Sequence, residues 1–471
     1  MKSFYISILL IKNGLGEIMI IKNERDLLSH GNIEGRKIVL DIIKYALINI
    51  DSYKLTKGKV HIEDKYLIVD NLVYDLSKIE NIYVIGAGKG SYSIAKALED
   101  ILGDRIKEGI IIEKKGIGKR MKKIKVIEGG HPIPDEDGME GAIEIVKIAK
   151  NATEKDLLFA CITGGCSALM TLPAPGISLE DVKITTDLLL KCGADIQEIN
   201  AVRNHISSIS GGRLATYVHP AELISFIVVD EVRGFPWGPT VPDYTTLSDA
   251  IYVLKKYNLW NKIPENVRKH FEKADPTQET PKIEDFKRMN IKAHNIVLAN
   301  SETVCKVAEK KAKELGLNTM ILSTVIEGES REVGIALAGI AKEVEKNGIP
   351  MKPPCVFIVG GETTVRINGE AGEGGRNQEF ALGAALKISG SKNIVVASVG
   401  TDGTDGPTDI AGGIVDGYTL KRAEEKGIDV FKELMKHNSS YVFRQLNDAI
   451  FTGPTGTNVM DLRILCITST I

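Results

Sequence analysis

Five apolar runs in this chain each stop at a glycine-rich polar turn. The first three are Tyr83-Val84-Ile85 before Gly86-Ala87-Gly88-Lys89-Gly90-Ser91, residues 158–162 before Thr163-Gly164-Gly165-Cys166-Ser167, and residues 226–229 before Asp230-Glu231-Val232-Arg233-Gly234. The other two are residues 356–359 before Gly360-Gly361-Glu362-Thr363-Thr364 and residues 395–399 before Gly400-Thr401-Asp402-Gly403-Thr404-Asp405-Gly406. A short, continuous apolar run suits a strand covered on both faces, the situation of a parallel sheet. Ligands of open parallel sheets gather at the carboxyl ends of the strands. The polar turns are therefore expected to form one large site, which is an enzyme's layout.

With 471 residues the chain is too long for one core. Helical and strand patterns alternate, so the expected class is α/β with mostly parallel sheets, in two or three domains. Boundaries are read as an N-terminal extension at 1–30, a first domain at 31–261, a charged linker at 262–290 carrying Pro264, Pro276 and Pro281, and a second domain at 291–471. Within the extension Met19 is read as the initiator, which leaves 1–18 absent or peripheral. Residues 34–50 carry Ile38, Val39, Ile42, Ile43, Ala46 and Leu47 at three- and four-residue steps, an amphipathic helix.

Composition removes several function classes. Lys plus Arg number 60 against 62 for Asp plus Glu, so no basic field points to nucleic acid or an anionic membrane. Aromatic residues make up 6%, too few for base-stacking platforms. The six cysteines show no Cys-x-x-Cys pair, which fits reduced thiols in the cytoplasm.

The turns suggest chemistry. In the first, Gly86, Gly88, Gly90 and Ser91 would bring backbone N–H groups to a phosphate at a helix start, with Lys89 adding a mobile charge. The spacing is too short for a Walker A loop, and Ser91 stands where a dinucleotide fingerprint wants glycine, although Glu113 lies near the place of a ribose-binding acid. Tight strand–helix packing explains the same glycines. Gly164, Gly165 and Ser167 repeat the device, with a helix cap as the plainer role for Ser167. Cys166 has no histidine nearby in sequence and reads as a small buried residue. Asp230 and Glu231 end an apolar strand, which implies a metal, a general base or a salt bridge with Arg233. Asp402, Asp405 and Asp409 form an acidic turn able to hold Mg²⁺ through one or two carboxylates, or to make Asx turns. Arg376, followed by Asn377, Gln378 and Glu379, offers a planar fork for a carboxylate or phosphate. Gly361, Glu362 and Thr363 follow another strand, and Thr457 and Asn458 lie in a late hydroxyl-rich turn. His131 and His205 sit in unusual settings, with hydrogen-bonded structural roles as the default.

Taken in order, these segments resemble the class II glycerate kinases, whose C-terminal part is called the MOFRL domain. The resemblance rests on Ile85–Gly90, Gly129-Gly130-His131-Pro132, Thr163–Leu169, Asn204-His205-Ile206-Ser207, Gly211–Ala215, Gly238–Asp243, Gly360–Val365, Gly374–Glu379, Thr401–Thr408 and Thr455–Asp461, and it runs from about residue 32 to 466. The MOFRL part is placed at about 354–466. The resemblance implies ATP-dependent phosphorylation of D-glycerate to 2-phosphoglycerate, with Lys89 and Arg376 catalytic, and an α/β protein of two Rossmann-like three-layer domains with mostly parallel sheets and an active-site cleft between them. It departs at Asp230–Thr240, which is shorter than the family's stretch and lacks a second Asp and a Ser.

On this reading Asp230 is the general base or a metal ligand, Asp402 and Asp405 hold Mg²⁺ or another divalent cation, and the glycine turns with Glu362, Thr363, Asn377, Glu379, Thr457 and Asn458 contact substrate or nucleotide. D-glycerate and ATP are the expected small-molecule partners, with no nucleic acid and no membrane, and a homodimer is left open. Two other readings stand beside it: an NAD(P)H-dependent hydroxypyruvate reductase, and a nucleotide- or sugar-acid-binding protein without catalysis.

Overall fold

The computed structural model describes residues 20–232, 236–273, 275–367 and 369–470. Residues 1–18, Met19 and Arg233 therefore lie outside the described residues. A small antiparallel meander, β1 (Val60–Glu63), β2 (Tyr66–Val69) and β3 (Leu72–Asp75), precedes two six-stranded sheets.

The first sheet contains β4 (Ile82–Ala87), β5 (Ile106–Lys114), β6 (Ile124–Gly129), β7 (Leu157–Ile162), β8 (Glu222–Val228) and β9 (Ala293–Ala299). All its neighbours pair in parallel, in the order β6-β5-β4-β7-β8-β9. The chain builds outward from β4 on one side, then returns to β7 and builds outward on the other. The reversal falls between β4 and β7, where a crevice opens at the carboxyl ends of an open sheet. Both strands are buried along their whole length, as continuous apolar runs require.

The second sheet contains β10 (Asn318–Ile326), β11 (Cys355–Gly361), β12 (Ile394–Gly400), β13 (Gly412–Asp416), β14 (Ala449–Ile450) and β15 (Asp461–Ile467). Its order is β10-β11-β15-β12-β13-β14. Only β10 and β11 pair in parallel here; β15 runs antiparallel between β11 and β12. That insertion places Asp461 level with Gly361 on one side and Gly400 on the other. An acidic residue at the start of β15 thus shares a sheet end with the turns that follow β11 and β12.

Two domain boundaries differ from the sequence reading. Strand β9, which a boundary at 291 gives to the second domain, completes the first sheet by pairing with β8. The helix Ile33–Asn49, read as part of the first domain, packs on β12 and β15 of the second. Hydrophobic faces pair by geometry rather than by sequence order, and this helix buries Val39, Ile42, Ile43 and Ala46 in a core that also holds Val84 and Phe159 of the first sheet. The stretch 262–290 is no plain linker: it contains the helices Glu265–Lys273 and Ile283–Met289.

Separate cores cover the outer face of each sheet, and a smaller one joins the helices Leu179–Lys191, Ile196–His205, Leu247–Lys256 and Glu265–Lys273 into a cap on the first domain. No described helix is long and apolar enough to cross a membrane. Of the six cysteines all are free thiols, and all but Cys192 are buried.

A buried ion cluster fastens the helix Ile33–Asn49 to the second sheet. Arg36, fully buried, donates through Nε to Asp416 at 2.6 Å and through Nη1 to Asp448 at 2.7 Å. Removing one member of such a cluster leaves charge uncompensated in a dry setting. Arg36→Met is therefore expected to destabilise the protein by about 3–5 kcal/mol, read as a lower urea midpoint by circular dichroism; an unchanged midpoint would show that the cluster adds nothing.

Candidate active site

The turns after β4 and β7 are interlocked. Gly88 has φ +132°, and a side chain there would run into Thr163; one at Gly86 would strike the backbone of Cys161. The Lys89 N–H donates to Gly164 O at 2.8 Å, and the Gly90 N–H donates to Thr163 Oγ1 at 3.0 Å. Glycine is needed here because two backbones approach too closely for a Cβ.

The helix Ser91–Leu102 starts directly after this turn, and its first N–H groups already have an anion. The Tyr92 N–H donates to Glu113 Oε1 at 2.7 Å, with Ser91 Oγ at 3.3 Å from the same oxygen. Burial pushes Glu113 up to about 7. Ser91 and Glu113 are thus engaged with each other.

The second turn gathers the reactive groups. A Cβ on Gly165 would lie 2.7 Å from His131 Cδ2 and 3.4 Å from Lys89 Cγ, and one on Gly164 would collide with the Asp230 carboxylate. Lys89, His131 and Asp230 therefore surround one turn. Burial, with the positive charges of Lys89, Lys114 and Arg203, lowers His131 to about 4, so its ring is neutral near pH 7. Burial raises Asp230 to about 6, and Lys89 partly opposes the shift. The buried Cys166 thiol is pushed up to about 12, which makes it inert as a nucleophile.

The second domain supplies the facing wall. Arg376 donates through Nε to both Asp461 oxygens, at 3.0 and 2.9 Å, and through Nη1 to Glu362 Oε1 at 2.9 Å. Asp461 is fully buried and also receives Asn377 Nδ2 and Arg463 Nη2, each at 2.8 Å. Burial raises Glu362 to about 7; Arg376 opposes this, while Asp461, Asp230 and Asp402 add to it. Asp230 and Glu362 both line a cavity of about 810 Å³, together with His131, Ser167 and Arg203. Lys89 acts on one of these carboxylates and Arg376 on the other, so the two sheets direct their functional ends at one place.

Other expected site residues take different parts. Asp405 is a correction: its oxygens accept from the backbone N–H groups of Asn377 and Gln378 at 3.0 and 2.9 Å and from both side-chain amides. Four donors use up a carboxylate's lone pairs, so Asp405 caps the helix Arg376–Ile388 rather than binding metal. Glu379 pairs with His437 at 2.8 Å, and Thr363 accepts from Ser330 Oγ and Arg463 Nη2. Thr457 is buried against Ser52 Oγ at 2.9 Å, and Asn458 accepts from the Met460 N–H. His205 is held by Ala201 O and Glu279, a structural role. Asp402 keeps one oxygen on Thr404, and its charge reaches both Asp230 and Glu362. Among the described residues no cluster of three or more His, Cys, Asp or Glu is arranged to hold a metal ion by itself.

Two site residues escaped the sequence reading. Asp461 entered only as the last residue of the Thr455–Asp461 segment, and only the antiparallel insertion of β15 brings it to Arg376. Arg203 lies on the helix Ile196–His205, where Asn200, Arg203 and Asn204 form a polar stripe along the cavity at three- and four-residue steps. That stripe was the available signal.

The chain is also similar to known proteins. Residues 38–272 match a domain of unknown function (DUF4147), and residues 355–461 match the MOFRL family. A glycerate 2-kinase of Pyrococcus horikoshii is 44% identical over 439 residues, covering 92% of this chain and 98% of that protein. A putative hydroxypyruvate reductase of Agrobacterium vitis is 36% identical over 389 residues, covering 82% of this chain and 98% of that protein. The crystal structure of a glycerate kinase from Thermotoga maritima superposes with a TM-score of 0.80 at 35% identity, covering 92% of this chain and 99% of that one. The chain belongs to the MOFRL family of glycerate kinases.

Proposed function

We propose that the protein transfers the terminal phosphoryl group of ATP to the 2-hydroxyl of D-glycerate. The observation that carries this reading is that Asp230 from one sheet, at the turn that Lys89 also touches, and Glu362 from the other, held by Arg376, line one cavity. Phosphoryl transfer asks for positioning and charge neutralisation more than for covalent help. The family relationship supports an ATP-using kinase.

Asp230 accepts the proton of the attacking hydroxyl, and Lys89 neutralises the phosphoryl oxygens as they shift from donor to acceptor. Arg376 enters this step already oriented, because Asp461 grips its Nε edge and Glu362 holds Nη1. A divalent cation fits Asp402, whose second oxygen makes no hydrogen bond among the described residues. Such an ion, when bound, would offset charge on the nucleotide phosphates.

A reductase reading is less well supported, since the acid placed for a ribose, Glu113, already accepts from the Tyr92 N–H and the Ser91 hydroxyl at the start of the neighbouring helix. Incubation with D-glycerate, ATP and Mg²⁺, followed by phosphorus NMR, should yield ADP and 2-phosphoglycerate. Oxidation of NADH by hydroxypyruvate without ADP formation would overturn the kinase reading.

Lys89→Ala is expected to lower kcat by about 10²–10³ while leaving the thermal midpoint nearly unchanged, since Lys89 makes no ion pair with a described residue. Turnover close to that of the parent would remove Lys89 from the mechanism. The base must be ionised to work, so activity should rise with pH through about 6, the value for Asp230. Asp230→Asn should leave a small residual rate with no such rise, whereas Glu362→Gln should keep it; a pH–rate profile of the three proteins decides.

A further inference from the structure

Arg203 is a cation in the cavity wall with no counter-charge among the described residues. Its helix, Ile196–His205, buries Ile199 and Val202 in the small core of the cap, and it turns Asn200, Arg203 and Asn204 toward the cavity. The other arginines of this region are engaged. Arg376 is tied to Glu362 and Asp461, Arg463 to Asp461, and Arg213 donates to the carbonyls of Asn204 and Gln278. Arg203 makes no hydrogen bond and no ion pair with any described residue.

Carboxylates do occur in the same wall, and those on or beside the Arg203 helix have other occupations. Asp195 caps the helix that carries Arg203, Glu231 accepts from Asn200 at 3.2 Å, and Asp243 accepts from Asn204 and Thr245. The one neighbour whose charge would favour Arg203 is Cys166, a thiol that stays protonated at neutral pH. Withdrawing a guanidinium from water without an anionic partner is unfavourable. A ligand that brings its own negative charge removes that penalty.

The place suits a small acid. Arg203 and Lys89 both act on His131, and the His131 ring lies against the same turn as Lys89, with Asp230 on the other side of that turn. An acid gripped at Arg203 would present the hydroxyl next to its carboxylate toward Lys89 and Asp230. Arg376, already neutralised by two protein carboxylates, has less positive charge to offer a third.

We infer that Arg203 is the clamp for the carboxylate of the acceptor acid, pairing with it directly and so selecting 2-hydroxy acids over neutral alcohols. The inference rests on the kinase reading for its substrate and deepens it, dividing labour between an unpaired arginine for the acceptor and a held one for the phosphoryl group.

Steady-state kinetics of Arg203→Ala and Arg203→Lys, with calorimetric titration of D-glycerate in the absence of nucleotide, test it. Charged hydrogen bonds of this kind correspond to a loss of about tenfold to a hundredfold. The alanine variant should raise the KM and Kd for D-glycerate by that factor, leave the KM for ATP within twofold, and regain activity with added guanidinium. The lysine variant should fall between, since it keeps the charge without the fork. An unchanged KM for D-glycerate, a loss falling on ATP, or equal losses on both substrates would overturn the assignment. Absence of ADP formation by the unaltered protein would instead sink the kinase reading, and the titration would still report whether Arg203 binds the acid.

Discussion

Two carboxylates share a partly dry cleft, and neighbouring negative charge makes both harder to ionise. Asp230 follows a strand of one sheet and Glu362 a strand of the other, and both are held above the ordinary carboxylate range by burial, with Glu231 and Asp402 adding to it at Asp230 and Asp461, Asp230 and Asp402 at Glu362. Such a confrontation is unfavourable unless cations stand behind it, which is the place of Lys89 and Arg376. The remaining architecture can be understood as what keeps these four groups in register: interlocked turns at the switch point of the first sheet, and a buried Asp461 at the matching end of the second.

Much of the fold was legible in the sequence because the apolar runs were short, unbroken and followed by glycine. The runs at 158–162, 356–359 and 395–399 all became fully buried strands, and the helix expected over 34–50 is Ile33–Asn49. What the runs could not disclose was partnership. A strand buried on both faces looks the same whether its neighbour is parallel or antiparallel, so the entry of β15 between β11 and β12 carried no local signature. For the same reason β9 seemed to open a new domain when it closes the first sheet.

The site was legible to the extent that its chemistry sits on strand ends. Lys89, Asp230 and Glu362 follow apolar runs, at positions that sheet register fixes, while Arg376 opens the helix Arg376–Ile388 after two glycines. Glycines were harder to interpret: Gly86 and Gly88 are required because two protein backbones touch, so a phosphate loop and a packing contact predict the same residues. Asp405 shows a related ambiguity. Its Asp-Gly-Thr surroundings fit a cation as well as a helix cap, and only the positions of Asn377 and Gln378 separate the two.

Side chains on the cap obey a different constraint. The helices that carry Arg203 and Asn200 have a core of their own, separate from those of the two sheets. They are joined to the first domain through polar ties such as His205 to Glu279 and Arg213 to the Asn204 and Gln278 carbonyls. Sheet register therefore fixes Lys89 and Asp230 relative to each other, whereas helix packing and a few hydrogen bonds fix Arg203 relative to both. A charge mounted in that way, without a protein partner, is suited to meeting a ligand rather than to holding the fold. The arginines deeper in the molecule, Arg36 and Arg463, carry their counter-charges with them, and that contrast separates the structural guanidinium groups from the one left facing the cavity.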